Sequence, residues 1–332
     1  MSDMYNVSYA PHITSNYSTR NIMQDVAIAL IPASLFGIYN FGLRALMILM
    51  ISVLTCVMTE YLFLKFSKKP ITKSDYSEVV TGMLIALNLS ANSPLWLPVI
   101  GGVFAIWVVK MLYGGIGQNF MNPAMAARCF LLISFPTRMA NYAIESIGAN
   151  TNLINKMYYG AISVDSISGA TPLAGLKAGE SIKLFDMFIG NINGTIGETS
   201  ALAILIGASY LIYRKIITLR IPLSYLVSFA VFIAVFGSKG MDLNFIFAHI
   251  LGGGLLLAAF FMATDYSTSP ITPNGKVIYG ILLGILSGVF RVYGASPEGT
   301  SYVIIIGNML VPFIEKISLP KPFGKEKIKD VE

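Results

Sequence analysis

Charge is scarce in this chain. Only 12% of its 332 residues are Asp, Glu, Lys or Arg, about half of the roughly 25% that a water-facing globular surface uses. That excludes a soluble enzyme, and a 55% hydrophobic content excludes a disordered scaffold. Cysteine is nearly absent: Cys56 and Cys129 are the only two. By themselves they build neither a disulfide framework nor a zinc or cluster site, and both lie in apolar runs where a thiol packs as a small hydrophobe. The first 20 residues lack a basic start and an apolar core, so no signal peptide is read there and insertion is expected to rely on the first span. There is no Ser-His-Asp set, P-loop, dinucleotide fingerprint or HExxH run. A net charge of +6 would point to nucleic acid in a soluble domain. In so apolar a chain it is read through its distribution, and no nucleic-acid partner is expected.

Apolar length is what the chain has in abundance, and runs of about 20 residues are the signature of membrane spans. Ten spans are expected: Asn21–Phe41, Leu43–Lys65, Tyr76–Ala91, Leu95–Tyr113, Pro123–Phe135, Gly197–Tyr213, Ile221–Gly237, Phe245–Ala263, Val277–Tyr293 and Ser301–Ile314. The fifth is too short to cross about 30 Å of hydrocarbon unaided. Lys65, Lys68, Lys69, Lys73, Arg214, Lys215, Arg220, Lys276 and the basic tail fall on one side of this arrangement, whereas Arg44, Lys239 and Arg291 fall on the other. The bias places both termini in the cytoplasm and residues 136–196 outside.

The halves repeat. Ala86-Leu-Asn-Leu-Ser-Ala-Asn-Ser-Pro94 and Met262-Ala-Thr-Asp-Tyr-Ser-Thr-Ser-Pro270 each follow one span and precede a Gly-rich one. Five spans per half require the halves to be inverted, an architecture of transporters and channels whose sites lie where interrupted spans meet. The expected fold is therefore an all-α polytopic membrane protein of about ten transmembrane helices in two inverted five-helix repeats with interrupted helices. Its expected parts are an N-terminal segment (1–20), a first repeat (21–135), an outer loop (136–196), a second repeat (197–314) and a basic tail (315–332).

Several residues could carry chemistry. In Asp165-Ser166-Ile167-Ser168-Gly169-Ala170-Thr171 small neighbours leave the Thr171 hydroxyl accessible, which would suit attachment of a bulky group; on chemistry alone an ordinary surface turn is the favoured reading. Glu198, Thr199 and Ser200 open a span, and a helix N-terminus favours anions; a plain cap by Thr199 or Ser200 is the equal alternative. Asn119 and Asn122 precede Pro123 and could bond a ring edge or satisfy broken backbone. Asp265 and Lys276 lie at the matching break, as caps or at the membrane edge. Charges inside spans cost at least about 2.5 kcal/mol each. Lys110 is expected to snorkel, Glu60 to pair with the segment from Lys65, Arg128 to face protein, a carbonyl or a phosphate, and Asp25 to be paired or to line an ion path. His249 reads as a core histidine.

The run Asp165-x-x-Ser168-Gly169-Ala170-Thr171 resembles the flavinylation motif of the NqrB/RnfD family. Further matches follow in order: Gly114-Gly115-Ile-Gly-Gln-Asn119-Phe-Met-Asn122-Pro123-Ala124, Gly197-Glu198-Thr199-Ser200-Ala201, and Met262-Ala-Thr264-Asp265 through Ser269-Pro270 to Lys276. Ala10-Pro11-His12 is similar to the family's Ser-Pro-His, with Ala10 replacing Ser. The length is similar to the RnfD branch, since the long N-terminal extension of the NqrB branch is missing. The resemblance implies membership of an Rnf-type redox pump that exchanges electrons between ferredoxin and NAD and moves Na⁺ or H⁺. It further implies FMN joined through its phosphate to Thr171, a non-covalent riboflavin deeper in the membrane, and flavin contacts among Asp165, Ser168, Gly169, Ala170, Glu198, Thr199, Ser200, Asn119, Asn122 and Asp265. Implied partners are the other Rnf subunits (A, B, C, E and G), a flavin transferase and membrane lipid, in a bacterial or archaeal cytoplasmic membrane. A channel or secondary transporter for a small solute is the alternative, and a purely structural anchor ranks last.

Overall fold

The computed structural model describes residues 18–68, 75–139, 172–177, 183–190, 192, 194–294 and 299–320. Among them the structure is helical, apart from one antiparallel bridge between Ser90 and Thr195. The first half contributes α1 (Thr19–Phe41), α2 (Leu43–Phe66), α3 (Ser77–Leu87), α4 (Trp96–Met111) and α5 (Pro123–Ser134). Three short helices follow: α6 (Pro136–Met139), α7 (Pro172–Lys177) and α8 (Leu184–Ile189). The second half contributes α9 (Ala201–Tyr213), α10 (Arg220–Phe236), α11 (Leu243–Leu251), α12 (Leu255–Met262), α13 (Pro273–Tyr293) and α14 (Thr300–Ser318).

Four of these helices, α1, α2, α13 and α14, are long and apolar enough to cross a membrane singly; α11 and α12 form one bent span, and α3, α4, α5, α9 and α10 are shorter apolar helices. Among the described residues ten apolar segments result, as the hydropathy pattern predicts. The chain is an all-α polytopic membrane protein, and its two halves share a packing pattern: α2 lies on α4 and α4 on α5, as α10 lies on α13 and α13 on α14.

Local chemistry explains where the helices start and stop. Ser18 caps α1 by accepting from the Asn21 N–H (3.3 Å). Gly42, at φ 70°, makes the one-residue turn into α2. Asn122 caps α5 with Pro123 at its first position, where a missing N–H costs nothing. Thr272 and Pro273 start α13 in the same way, four residues earlier than the hydropathy suggests. The expected continuous span Phe245–Ala263 is broken instead: α11 and α12 diverge by 64°, because Gly253 and Gly254 take left-handed backbone (φ 71° and 65°) that side chains resist.

Broken helices leave backbone groups that lipid cannot satisfy. At the end of α3 the incoming segment answers them: Ile196 N–H donates to the Leu89 carbonyl (3.0 Å) and Gly197 N–H to that of Leu87 (2.8 Å). Gly197 is required there, since a Cβ would stand 2.6 Å from Leu87 Cβ. At the Gly252–Gly254 break, Arg291 donates to the carbonyls of His249, Gly252 and Gly253 (3.2–3.4 Å). Its ring partner is Phe229, 5.6 Å from the guanidinium. Arg291 is 2% exposed and is not the loop charge that its position near a span end suggested.

Candidate functional site

α4 and α12 both end in π-helical turns, Phe104–Met111 and Ala258–Met262, a wide-turn geometry that concentrates at functional sites. Lys110 and Phe261 from these turns line one cavity, which also gathers Asn119, Asn122 and Asp265. Counted with its open mouth, it encloses about 750 Å³ of space between atoms. Its walls are apolar, including Met23 and Val26 of α1, Leu84 of α3, Leu211 of α9 and Phe261. The three predicted polar residues thus come together from two halves, separated by up to 146 positions, at one edge of an apolar slot.

Each polar residue is held by local bonds. Asn122 Oδ1 accepts from the N–H groups of Ala124 (3.0 Å) and Met125 (3.3 Å), and its Nδ2 points at Asp265 Oδ2 across 3.5 Å. Asp265 accepts from Ser267 N–H (3.2 Å), Ser267 Oγ (2.9 Å) and Thr268 Oγ1 (3.3 Å), an Asx-type turn across the break. Asn119 Nδ2 donates to the Met121 carbonyl (3.1 Å). Behind Asn122, the Asn308 amide is oriented so that its oxygen accepts from Asn122 N–H (3.0 Å) and its nitrogen donates to Tyr279 Oη (2.7 Å). Sequence reasoning did not single out Asn308; a polar residue in the apolar run of α14 was its only signal.

One flank of the cavity is ionic. Lys110 Nζ donates to Glu60 Oε2 and to Ser77 Oγ, both at 2.6 Å, and Ser77 Oγ donates to Asp75 Oδ1 (2.5 Å). Lys110 is 3% exposed, so it pairs inside the protein and does not snorkel; among the described residues Glu60 pairs with it and not with Lys65 or Lys68. Carboxylate oxygens of Glu60, Asp75 and Glu78 lie within 4.8 Å of one another. Burial pushes the Asp75 carboxyl up, but the Lys110 ammonium and the hydrogen bonds from Ser77 outweigh it and hold the group below the ordinary aspartate value. Asp25 is paired too: it accepts from Tyr210 Oη (2.7 Å) and from Arg214 (3.1 Å). Arg128 faces protein, donating to Asn88 Oδ1 (2.8 Å). His249 is buried against Phe245, ring centroids 4.4 Å apart.

Glu198, Thr199 and Ser200 lead into α9 and are all buried. Ser200 Oγ caps α9 by accepting from Ala203 N–H (3.2 Å). Glu198 Oε2 accepts from Thr195 Oγ1 (2.7 Å), and its Oε1 faces Gly254 at the α11–α12 break. Thr171, Asp165, Ser168, Gly169 and Ala170 lie outside the described residues. Just after them, Leu173 of α7 packs on Gly252 and Gly253 beside Arg291.

Comparison with known proteins matches residues 6–324 to the NQR2, RnfD, RnfE family. Three relatives are the D subunits of redox-driven ion pumps. The chain is 45% identical over 328 residues to that of the Na(+)-translocating ferredoxin:NAD(+) oxidoreductase complex of Acetobacterium woodii, covering 97% of this chain and 96% of the relative. It is 35% identical to that of the proton-translocating ferredoxin:NAD(+) oxidoreductase complex of Clostridium ljungdahlii, with 98% of each covered. It is 33% identical to that of the ion-translocating oxidoreductase complex of Halorhodospira halophila, with 96% and 95% covered. With the family model spanning nearly the whole chain and relatives aligned end to end, the chain belongs to the NQR2, RnfD, RnfE family.

Proposed function

We propose that the chain is the membrane flavoprotein component of an ion-translocating ferredoxin:NAD oxidoreductase complex, relaying electrons between FMN at Thr171 and riboflavin in the Asn119–Asn122–Asp265 cavity, coupled to Na⁺ or H⁺ transfer. The observation that carries this reading is the cavity itself. Apolar walls from α1, α3, α9 and α12 suit the two faces of an isoalloxazine, and the two amides and the carboxylate suit its polar edge. A bound flavin supplies electron transfer; the protein supplies position and electrostatics. Asn122, locked by its cap and by Asn308, orients the ring edge. Lys110 closes one flank of the slot, its ammonium held by Glu60 and Ser77. The apolar walls exclude water.

For the covalent group, the docking of Leu173 beside Arg291 supports a site near the α11–α12 break. Other Rnf subunits (A, B, C, E and G) and a flavin transferase are the partners this role requires. The lysine and arginine bias supports a cytoplasmic-membrane location with both termini inside and Thr171 outside.

The test is peptide mass spectrometry and flavin extraction on the full chain coexpressed with its flavin transferase. One FMN less a water on the peptide containing Thr171, lost in Thr171→Ala while extractable riboflavin remains, supports both sites. No adduct, with the transferase active on a known substrate, overturns the covalent site; no extractable flavin overturns the cavity.

A further inference from the structure

A second opening plays no part in the flavin relay. It is a groove between α1, the start of α3 and the end of α9, and its polarity changes with depth. Asn21, Gln24, Tyr76 and Arg214 line the end where α1 begins; Ile28 and Val79 line the other. Asn21 and Ile28 are separated by about 10 Å along the helix at 1.5 Å per residue, roughly the step from headgroup to acyl chain. Ile28 is 48% exposed, so the apolar end is open and not filled by the fold.

The polar end is built and basic. Arg20 lies 5.3 Å above the Tyr76 ring. Tyr76 is held in left-handed backbone, φ 65°, a conformation that non-glycine residues seldom adopt; in that pose its ring sits under Arg20. Arg214 keeps 43% of its side chain exposed while donating to Asp25. Two guanidiniums thus flank this end, Arg20 on the Tyr76 ring and Arg214 on Asp25, and Lys215 and Arg220 follow Arg214 closely in the chain.

We propose that this groove binds an anionic phospholipid, with the phosphate near Arg20 and Arg214 and an acyl chain along Ile28 and Val79. Basic pockets between membrane helices take anionic headgroups by this chemistry. The apolar end selects a lipid over free phosphate, and the two guanidiniums select an anionic over a zwitterionic lipid. The inference is independent of the flavin sites, since Arg20 and Ile28 do not line the flavin cavity.

Native mass spectrometry of the purified full chain tests it, with phosphatidylglycerol, phosphatidylcholine and inorganic phosphate as separate probes and extracted flavin as the fold control. Phosphatidylglycerol is expected to be retained over phosphatidylcholine. Arg20→Ala is expected to weaken that retention about fivefold, the equivalent of about 1 kcal/mol for one basic group near the membrane surface, with flavin content unchanged. Ile28→Ser is expected to weaken phosphatidylglycerol without touching any phosphate signal. Equal retention of both lipids overturns the proposal. So does indifference to Arg20→Ala, or inorganic phosphate competing as well as the intact lipid.

Discussion

Replacing Lys110 with Met probes the ionic flank of the cavity most directly. Lys110 is 3% and Glu60 17% exposed, with Nζ 2.6 Å from Oε2, and Ser77 Oγ accepts from the same ammonium. Removing one partner of a buried pair leaves an uncompensated charge and costs about 3–5 kcal/mol, whereas removing both is near neutral. Here the loss is aggravated because Asp75 and Glu78 crowd the same corner, so deleting the one ammonium leaves carboxylates facing each other. At roughly 2 °C per kcal/mol for a chain of this size, Lys110→Met is expected to lower Tm on the order of 5–10 °C. Lys110→Met with Glu60→Gln is expected to recover at least half of that. Differential scanning fluorimetry in one detergent reads both variants. A single variant that leaves Tm at the parent value, or a double variant less stable than the single, refutes the buried-pair argument.

Asn122→Ala removes the α5 cap, costing about 0.5–2 kcal/mol, and is expected to release extractable riboflavin while leaving any adduct at Thr171 in place; flavin extraction distinguishes the two pools. Gly197→Val forces a Cβ to 2.6 Å from Leu87 and is expected to destabilise by about 1–3 kcal/mol or more, read as a Tm loss with lowered expression. Asp75 has a folded-state value below its ordinary 3.8, so it contributes stability above that pH which is lost as pH falls through the lowered value. Asp75→Asn is therefore expected to reduce Tm at neutral pH, and the gap from the parent to close as the pH falls toward and below 3.8; a gap that widens on acidification contradicts it.

Hydropathy located all ten apolar segments because lipid-facing and core-facing residues are apolar alike, so the signal survives even in short helices such as α3 and α5. The same property hid the α11–α12 break: Phe245–Ala263 is apolar throughout, and only the run Gly252-Gly253-Gly254 marked it. Asn119, Asn122 and Asp265 stood out as polar residues at interrupted spans, and the fold does bring them together. The pairings were not legible. Glu60 lies five residues from Lys65 in sequence but its partner is Lys110, because α2 packs on α4 and their ends meet. Arg291 reads as a loop charge from its place near a span end, yet the break that it braces lies about 40 residues upstream. Periodicity reports which face is apolar; it carries no information on which buried charge another helix supplies.

The two interruptions differ in how they are satisfied, and the difference bears on function. The break after α3 is closed by backbone from the segment leading into α9, Ile196 and Gly197 bonding to Leu89 and Leu87. The break between α11 and α12 is closed by a side chain, Arg291, whose donors reach three carbonyls. A cation bonded to carbonyls at a helix C-terminus also answers that end's partial negative charge. Leu173, two residues after Thr171, packs on the same glycines. Arg291 therefore braces the glycines on which Leu173 packs, while the polar slot is assembled by Asn122 and Asp265. The two proposed flavin sites are thus positioned by separate breaks. A variant that loosens the Gly252–Gly254 break, such as Arg291→Met, is expected to disturb the covalent site first and to leave riboflavin extraction near the parent level.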